Sequence, residues 1–270
     1  MTFWEALILG LIQGATEFIP VSSSGHLVLI PWLFGWDRSG LLFDVMAHWG
    51  TLVAVVVYYR KDLLAIGTQV LCDLRSQTPL ASPQSRLGWL LAVATFPAVL
   101  LGYLFGDTLE ALFNQPAWVA SFLLVTGLIL WSSESLGAPH RAESSLTPAD
   151  ALRLGFAQAL AITPGISRSG STIGMGLLLG LERPAAARFS FLMMIPIVVG
   201  AGVLQFLRAL EAGFPHERIG VLATGFLAAA LSGYICVSFL VQHLATRGVR
   251  GFAVYCWLFG SFCLVVAFLR

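Results

Sequence analysis

Charge is what this sequence has least of. Only 11% of its 270 residues are Asp, Glu, Lys or Arg, where a soluble globular domain carries about 25%. With 57% hydrophobic residues and a mean hydropathy of +0.84, the chain belongs in a membrane. Lysine is nearly missing, Lys61 being the single one among 15 basic residues. A net charge of +1 and the lack of any basic cluster interleaved with aromatics exclude a nucleic-acid partner. Cysteine is scarce and scattered: Cys236, Cys256 and Cys263 sit inside apolar runs and Cys72 outside them, which excludes a disulfide scaffold. No basic residue precedes the apolar run 3–18, the first being Arg38, so that run is read as mature protein rather than a cleaved signal.

What the sequence does have is apolar length. A spanning helix needs roughly 20 mostly apolar residues, and six runs meet that requirement: 41–59, 88–105, 117–133, 187–207, 219–243 and 251–269. Four shorter runs, 3–18 with 27–35 and 151–162 with 172–181, are each interrupted by a Ser/Gly/Pro-rich stretch that breaks a helix. Each pair reads as a re-entrant helical hairpin.

Shifting the chain by 145 residues aligns 5–38 with 150–183 without gaps, and eleven of 34 positions are identical, among them Gly10/Gly155, Gln13/Gln158, Ser22/Ser167, Ser24/Ser169 and Gly25/Gly170. Chance would give roughly two or three. The expected fold is therefore an all-α integral membrane protein, one domain over 1–270. Repeat one covers about 1–135 with its hairpin at 3–35, and repeat two about 150–270 with its hairpin at 151–181. Three spans per half is an odd number, so the second half enters from the opposite side. In such inverted repeats the polar site lies where the broken helices meet. Connections 60–87, 134–150 and 244–250 hold Arg60, Lys61, Arg75, Arg86, Arg141, Arg247 and Arg250; connections 36–40, 106–116 and 208–218 hold only Arg38, Arg208 and Arg218, with Asp37, Asp107, Glu110, Glu211 and Glu217. The positive-inside rule then puts the first set in the cytoplasm.

Two stretches carry chemistry. In the first, Gln13 to His26, residues Gln13 and Glu17 share a helix face and Pro20 ends that helix at the hairpin tip. In the second, Thr163 to Thr172, a Ser/Gly loop surrounds Arg168 and leads into an apolar helix. Amides at a helix start, with hydroxyls and a guanidinium, form an anion site, and Arg168 matches phosphate bidentately as lysine cannot. Glu17, His26 and Arg168 are ionisable groups at membrane depth, which is a functional hint. The plain alternative is a structural Glu17–Arg168 ion pair with serines that only cap helices; it leaves the imidazole and two hydroxyl clusters without a role. Asp37/Arg38 and Glu182/Arg183 read as interfacial charge pairs, and Trp36, Tyr58, Tyr59 and Trp89 as an aromatic belt. His48 is set aside as a structural helix histidine, and His140, His216 and His243 are given no role.

At these residues the chain resembles the bacterial undecaprenyl-diphosphate phosphatases of the bacitracin-resistance type. That family is marked by Glu/Gln-x-x-x-Glu followed by Pro-Val-Ser-Ser-x-Gly-His, and by Pro-Gly-x-Ser-Arg-Ser-x-x-Thr in the second half. Here these are Gln13 to Glu17 with Pro20 to His26, and Pro164 to Thr172. Where other members carry Glu, Gln13 leaves one carboxylate fewer. The resemblance implies six spans and two re-entrant hairpins in interlocked inverted repeats. It also implies hydrolysis of undecaprenyl diphosphate to undecaprenyl phosphate and inorganic phosphate at the outer face of the bacterial plasma membrane, recycling the carrier lipid for wall synthesis. Ser23 is the implied nucleophile with Glu17 or His26 taking its proton, and a water activated by Glu17 and a divalent ion is the competing mechanism. Arg168, with Ser22, Ser24, Gly25, Ser167, Ser169 and Thr172, would bind the phosphates. Mg²⁺ or Ca²⁺ is the implied cofactor; such hard cations take oxygen ligands, hence Glu17, with Gln13, rather than His26, which is better suited to carry protons. The expected partners are the polyprenyl diphosphate lipid and the bilayer, and a homodimer stays open. A polyprenyl-phosphate transporter built on the same architecture is the second reading, and a structural membrane protein the third.

Overall fold

A computed structural model of the chain describes residues 1–37, 40–211 and 219–270; Arg38, His216, Glu217 and Arg218, which entered the sequence reading, lie outside the described residues. The first hairpin is α1, Phe3–Phe18, and α2, Ser23–Phe34, followed by α3 (Leu41–Tyr58), α4 (Arg60–Arg75), α5 (Pro83–Glu110) and α6 (Pro116–Leu136). The second is α7, Pro148–Leu160, and α8, Arg168–Leu178, followed by α9 (Arg183–Glu211), α10 (Ile219–Thr246) and α11 (Arg250–Leu269). Six of these helices, α3, α5, α6, α9, α10 and α11, are long and apolar enough to cross a membrane. The chain is a multi-pass all-α membrane protein. Large apolar side chains such as Leu227, Leu258 and Phe268 stand exposed on the spans, which suits lipid rather than water.

Local chemistry sets the hairpin boundaries. Both first arms open with a capping box: Thr2 accepts from the Glu5 amide at 3.2 Å while Glu5 accepts from the Thr2 amide at 2.7 Å, and Thr147 and Asp150 repeat the exchange. α1 stops because Ile19 precedes a proline and is driven into extended geometry, φ −60° and ψ 129°. The second arms start about four residues earlier than the apolar runs indicated, at Ser23 and Arg168 rather than near 27 and 172. The reason is capping. Ser22 and Ser167 each accept a first-turn amide, from Gly25 at 3.2 Å and Gly170 at 3.0 Å, so the polar stretch read as a break is the helix's own first turn.

The two hairpins embed in the opposite halves. α1 packs along α10, and α7 along α5. A Cβ on Gly10 would lie 2.5 Å from the Gly225 carbonyl oxygen, and one on Gly155 would lie 2.5 Å from that of Ala94. Only glycine permits these approaches, and the two positions are partners in the 145-residue alignment.

Three readings need correction. The stretch 60–87, read as a plain connection, contains α4, whose Ile66 and Val70 pack on Gly88 of α5 while Leu64, Leu71 and Leu74 stay exposed. Its low overall apolarity hid it from a search for spans. Tyr59 is buried in the main core against Tyr58 rather than standing in an aromatic belt. Arg183 pairs with Glu134 of α6 rather than with its neighbour Glu182, and Glu134 also accepts from the Val249 amide at 3.1 Å.

Candidate active site

The hairpin tips meet inside the fold. A Cβ on Gly25 would lie 3.4 Å from Gly165 Cα, and one on Gly170 would lie 3.4 Å from the Pro20 carbonyl oxygen. Residues 20 and 165, like 25 and 170, are alignment partners, so the contact is reciprocal. The N-termini of α2 and α8 thereby face a common centre, where first-turn amides are suited to an anion.

Glu17 is the hub of that centre. Its Oε2 accepts from Ser23 Oγ at 2.7 Å and from Gln13 Nε2 at 3.0 Å. Its Oε1 accepts from Arg168, whose NH2 lies 3.2 Å and whose Nε lies 3.4 Å away. Both Glu17 and Arg168 are largely withdrawn from solvent, and a buried charge pair is tolerated only when its remaining donors and lone pairs are satisfied. Arg168 meets that condition: NH1 donates to the Ser190 carbonyl at 3.0 Å and NH2 to Met194 Sδ at 3.2 Å. The guanidinium is held in one orientation by α1 and α9 together.

The loop before Arg168 is held from α6. Thr126 Oγ1 donates to the Gly165 carbonyl at 2.9 Å and accepts from the Ser167 amide at 3.0 Å. Gly165 takes φ +96°, where glycine is unstrained. At the other tip the positive φ falls on a serine, Ser22, at φ 70° and ψ 95°. Strain of this kind persists only where surrounding contacts impose it.

Comparison with known proteins identifies the family of the chain. The family described as "Bacitracin resistance protein BacA" matches residues 6–262. The chain belongs to that family. Its relatives include proteins named undecaprenyl-diphosphatase from Thermomicrobium roseum, 42% identical over the whole of both chains, and from Rubrobacter xylanophilus, 46% identical over 93% of each. A third, from Pelobacter propionicus, is 43% identical over 94% of this chain and 93% of its own.

Within this BacA-family centre, Glu17, Ser23 and Arg168 stand together as the sequence suggested. Ser22 and Ser167 are helix caps, each with the hydroxyl of its neighbour, Ser24 or Ser169, at 3.3 Å. Thr172 stands behind Arg168, donating to its carbonyl at 2.8 Å and sharing a 2.6 Å bond with Ser190 Oγ. His26 is placed apart from the acid: Nδ1 lies 2.8 Å from the Ser22 carbonyl and Nε2 lies 2.7 Å from the Tyr255 hydroxyl. The imidazole that does meet the acid is His48, with Nε2 at 3.5 Å from Glu17 Oε2 and Nδ1 at 2.6 Å from the Asp44 carbonyl. A lone helix histidine is more often structural, which is why the sequence gives His48 no role although an inward face would bring it within reach of the site. Tyr255, Thr126 and Ser190 carried no signal either, since only the tertiary fold brings them to the tips.

Among the described residues no cluster of three or more His, Cys, Asp or Glu side chains is present. The oxygen donors here are the Glu17 carboxylate, Ser23 Oγ and Gln13 Oε1, a buried atom that has no hydrogen-bond partner among the described residues. Such a set suits a hard cation that draws its other ligands from a bound diphosphate.

Proposed function

We propose that this chain hydrolyses undecaprenyl diphosphate to undecaprenyl phosphate and inorganic phosphate, the reaction for which its relatives are named. One observation carries the mechanism: Ser23 Oγ donates to Glu17 at 2.7 Å while Arg168 holds the other carboxylate oxygen. A hydroxyl hydrogen-bonded to an acceptor that is itself fixed is the arrangement of an activated nucleophile. Glu17 takes the Ser23 proton as Oγ attacks the terminal phosphorus. The bond from phosphorus to the bridging oxygen breaks, and the leaving lipid phosphate receives that proton. Glu17 then deprotonates a water that attacks the phosphoserine, and Ser23 recovers its proton as inorganic phosphate departs.

Charge on the transferred phosphoryl group must be met by fixed donors. Arg168 and the first-turn amides of α2 and α8 supply them, with the Ser24 and Ser169 hydroxyls nearby. Glu17 and Gln13 would hold Mg²⁺ or Ca²⁺ together with the diphosphate, and the ion would offset the negative charge of the two phosphates. Because both His26 nitrogens already have partners, the proton steps are assigned to Glu17.

The two halves are read as inverted-topology repeats in a bacterial plasma membrane, with the site opening to the outer face. This rests on the three spans that follow each hairpin and on the arginines of the connections 60–87 and 244–250. Single cysteines, Gln77→Cys and Gln115→Cys, in protein lacking the native four should then differ toward an impermeant thiol reagent in intact cells, only position 115 reacting. Reaction only at 77 reverses the orientation; equal behaviour means that α5 does not cross.

Purified protein in detergent should release inorganic phosphate from undecaprenyl diphosphate. A lipid-phosphate carrier would not, because transport needs no turnover in a micelle. No release by monodisperse protein, with Mg²⁺ and Ca²⁺ each supplied, overturns the reading.

A further inference from the structure

We infer that Tyr255 is a positioning residue for this reaction. It fixes His26 as a structural clamp on the Ser22 carbonyl, and through that clamp it aims Ser23 at Glu17. The inference rests on the proposed hydrolysis, but it is carried by contacts which that mechanism leaves unused.

A carbonyl oxygen can only accept a hydrogen bond. With Nδ1 at 2.8 Å from the Ser22 oxygen, the ring proton therefore sits on Nδ1. His26 is 2% exposed, and among the described residues no carboxylate bonds to it, so the neutral ring is the favoured form. Nε2 then has only a lone pair, and the Tyr255 hydroxyl at 2.7 Å donates to it. Tyr255 thus selects the tautomer that leaves Nδ1–H for the carbonyl. Phe259, one turn further along α11, stacks on the same imidazole with centroids 5.0 Å apart, and Tyr255 stacks at 5.7 Å with the planes only 6° apart. The ring has no freedom to swing toward Ser23.

The clamp acts on the residue that needs one. Ser22 is held at φ 70°, outside the comfortable range of a side-chain-bearing residue. Its carbonyl accepts both from His26 Nδ1 and from the His26 amide at 3.2 Å. Ser23 follows directly, and its hydroxyl meets Glu17 at 2.7 Å only because the chain turns there. Relaxation of Ser22 would rotate Ser23 away from the acid. The last helix of the chain is in this way linked to the first hairpin tip.

The test separates a clamp from a proton carrier. Asparagine places an amide N–H near the position of Nδ1, whereas glutamine reaches toward that of Nε2. With purified protein and undecaprenyl diphosphate, His26→Asn should keep kcat within about tenfold of native, while His26→Gln and His26→Ala fall by about a hundredfold or more. Tyr255→Phe should lower kcat about three- to tenfold with KM within about twofold, and should cost less than about twofold more when added to His26→Asn, because the asparagine needs no tautomer selection. The inference is overturned if His26→Asn is as inactive as His26→Ala, if Tyr255→Phe matches native protein, or if the double variant shows the full product of the single losses. Should Tyr255→Phe fail to give monodisperse protein, the ranking of Asn against Gln at position 26 decides alone. Failure of native protein to release phosphate would count against the proposed function instead, and so is distinct from every outcome above.

Discussion

The two hairpin tips share a scaffold and divide the chemistry. Ser22 and Ser167 cap equivalent helices, each has a second serine at 3.3 Å, and Gly25 and Gly170 each press on the other tip. At other aligned positions they part: Glu17 is matched by Ile162, Ser23 by Arg168 and His26 by Ser171. One tip holds the acid, the hydroxyl and the imidazole, and the other holds the cation. On the proposed mechanism neither half could run the reaction alone. A repeat of this kind supplies two helix starts suited to an anion, and sequence divergence then places opposite charges across one gap.

If that division is real, the largest effect should come from the acid. Glu17→Gln is nearly isosteric, keeps one acceptor oxygen where Ser23 and Arg168 now use two, and loses the ability to take a proton. Activity should fall by about a thousandfold or more, since general-base transfer and nucleophile activation are lost together, and any dependence on divalent ions should weaken. Adding Ile162→Glu, which puts a carboxylate at the equivalent point of the other tip, should not restore turnover. Recovery there would mean that the tips are interchangeable.

Arg168→Lys comes next. It preserves the charge but loses the planar fork that bonds Glu17, Ser190 and Met194 at once. A rate loss of about a hundredfold is expected from one charge-assisted contact in a shielded site, and near-native turnover by well-folded protein would remove Arg168 from the clamp. A smaller loss should follow Thr126→Val, which leaves the Gly165 carbonyl and the Ser167 amide without their partner. Buried groups left unpaired cost about 1–3 kcal/mol each, so thermal stability should fall while KM rises as the second tip loosens. Unchanged stability would show that the loop is held by its glycine and proline alone.

Much of this was legible in the chain. The six spans agree with the apolar runs within a few residues, because apolar length is the dominant signal in a membrane sequence. Glu17 and Arg168 were legible because a broken apolar helix is a costly place for ionisable side chains, and Ser23 through the family resemblance alone. Contacts within the site were not. Ser22 and Ser167 each accept their own helix's amide, a contact that a motif does not reveal and that leaves the hydroxyl proton available to a phosphate. His26 reads from the sequence as a proton carrier, and the sequence does not show that Tyr255, 229 positions away, lies on its second nitrogen. The plain ion pair between Glu17 and Arg168 also exists, and it is compatible with catalysis because Ser23 bonds the oxygen that Arg168 does not use.

The smallest expected effect separates the tips at one shared residue. Gln13 and Gln158 are alignment partners and both are buried, at 0% and 3% exposure. Gln13 donates to Glu17 at 3.0 Å, while among the described residues neither amide atom of Gln158 has a hydrogen-bond partner. A buried polar group without partners costs about 1–3 kcal/mol, and replacing it with an apolar side chain of similar shape is neutral or stabilising. Gln158→Met should therefore leave turnover within about twofold of native and hold or raise the melting temperature. Gln13→Met should lower turnover about tenfold, because Glu17 loses a donor that orients its carboxylate. Equal losses at the two positions would mean that Gln158 serves a polar contact of its own, and the division of labour between the tips would then be less complete than the bonds to Glu17 imply.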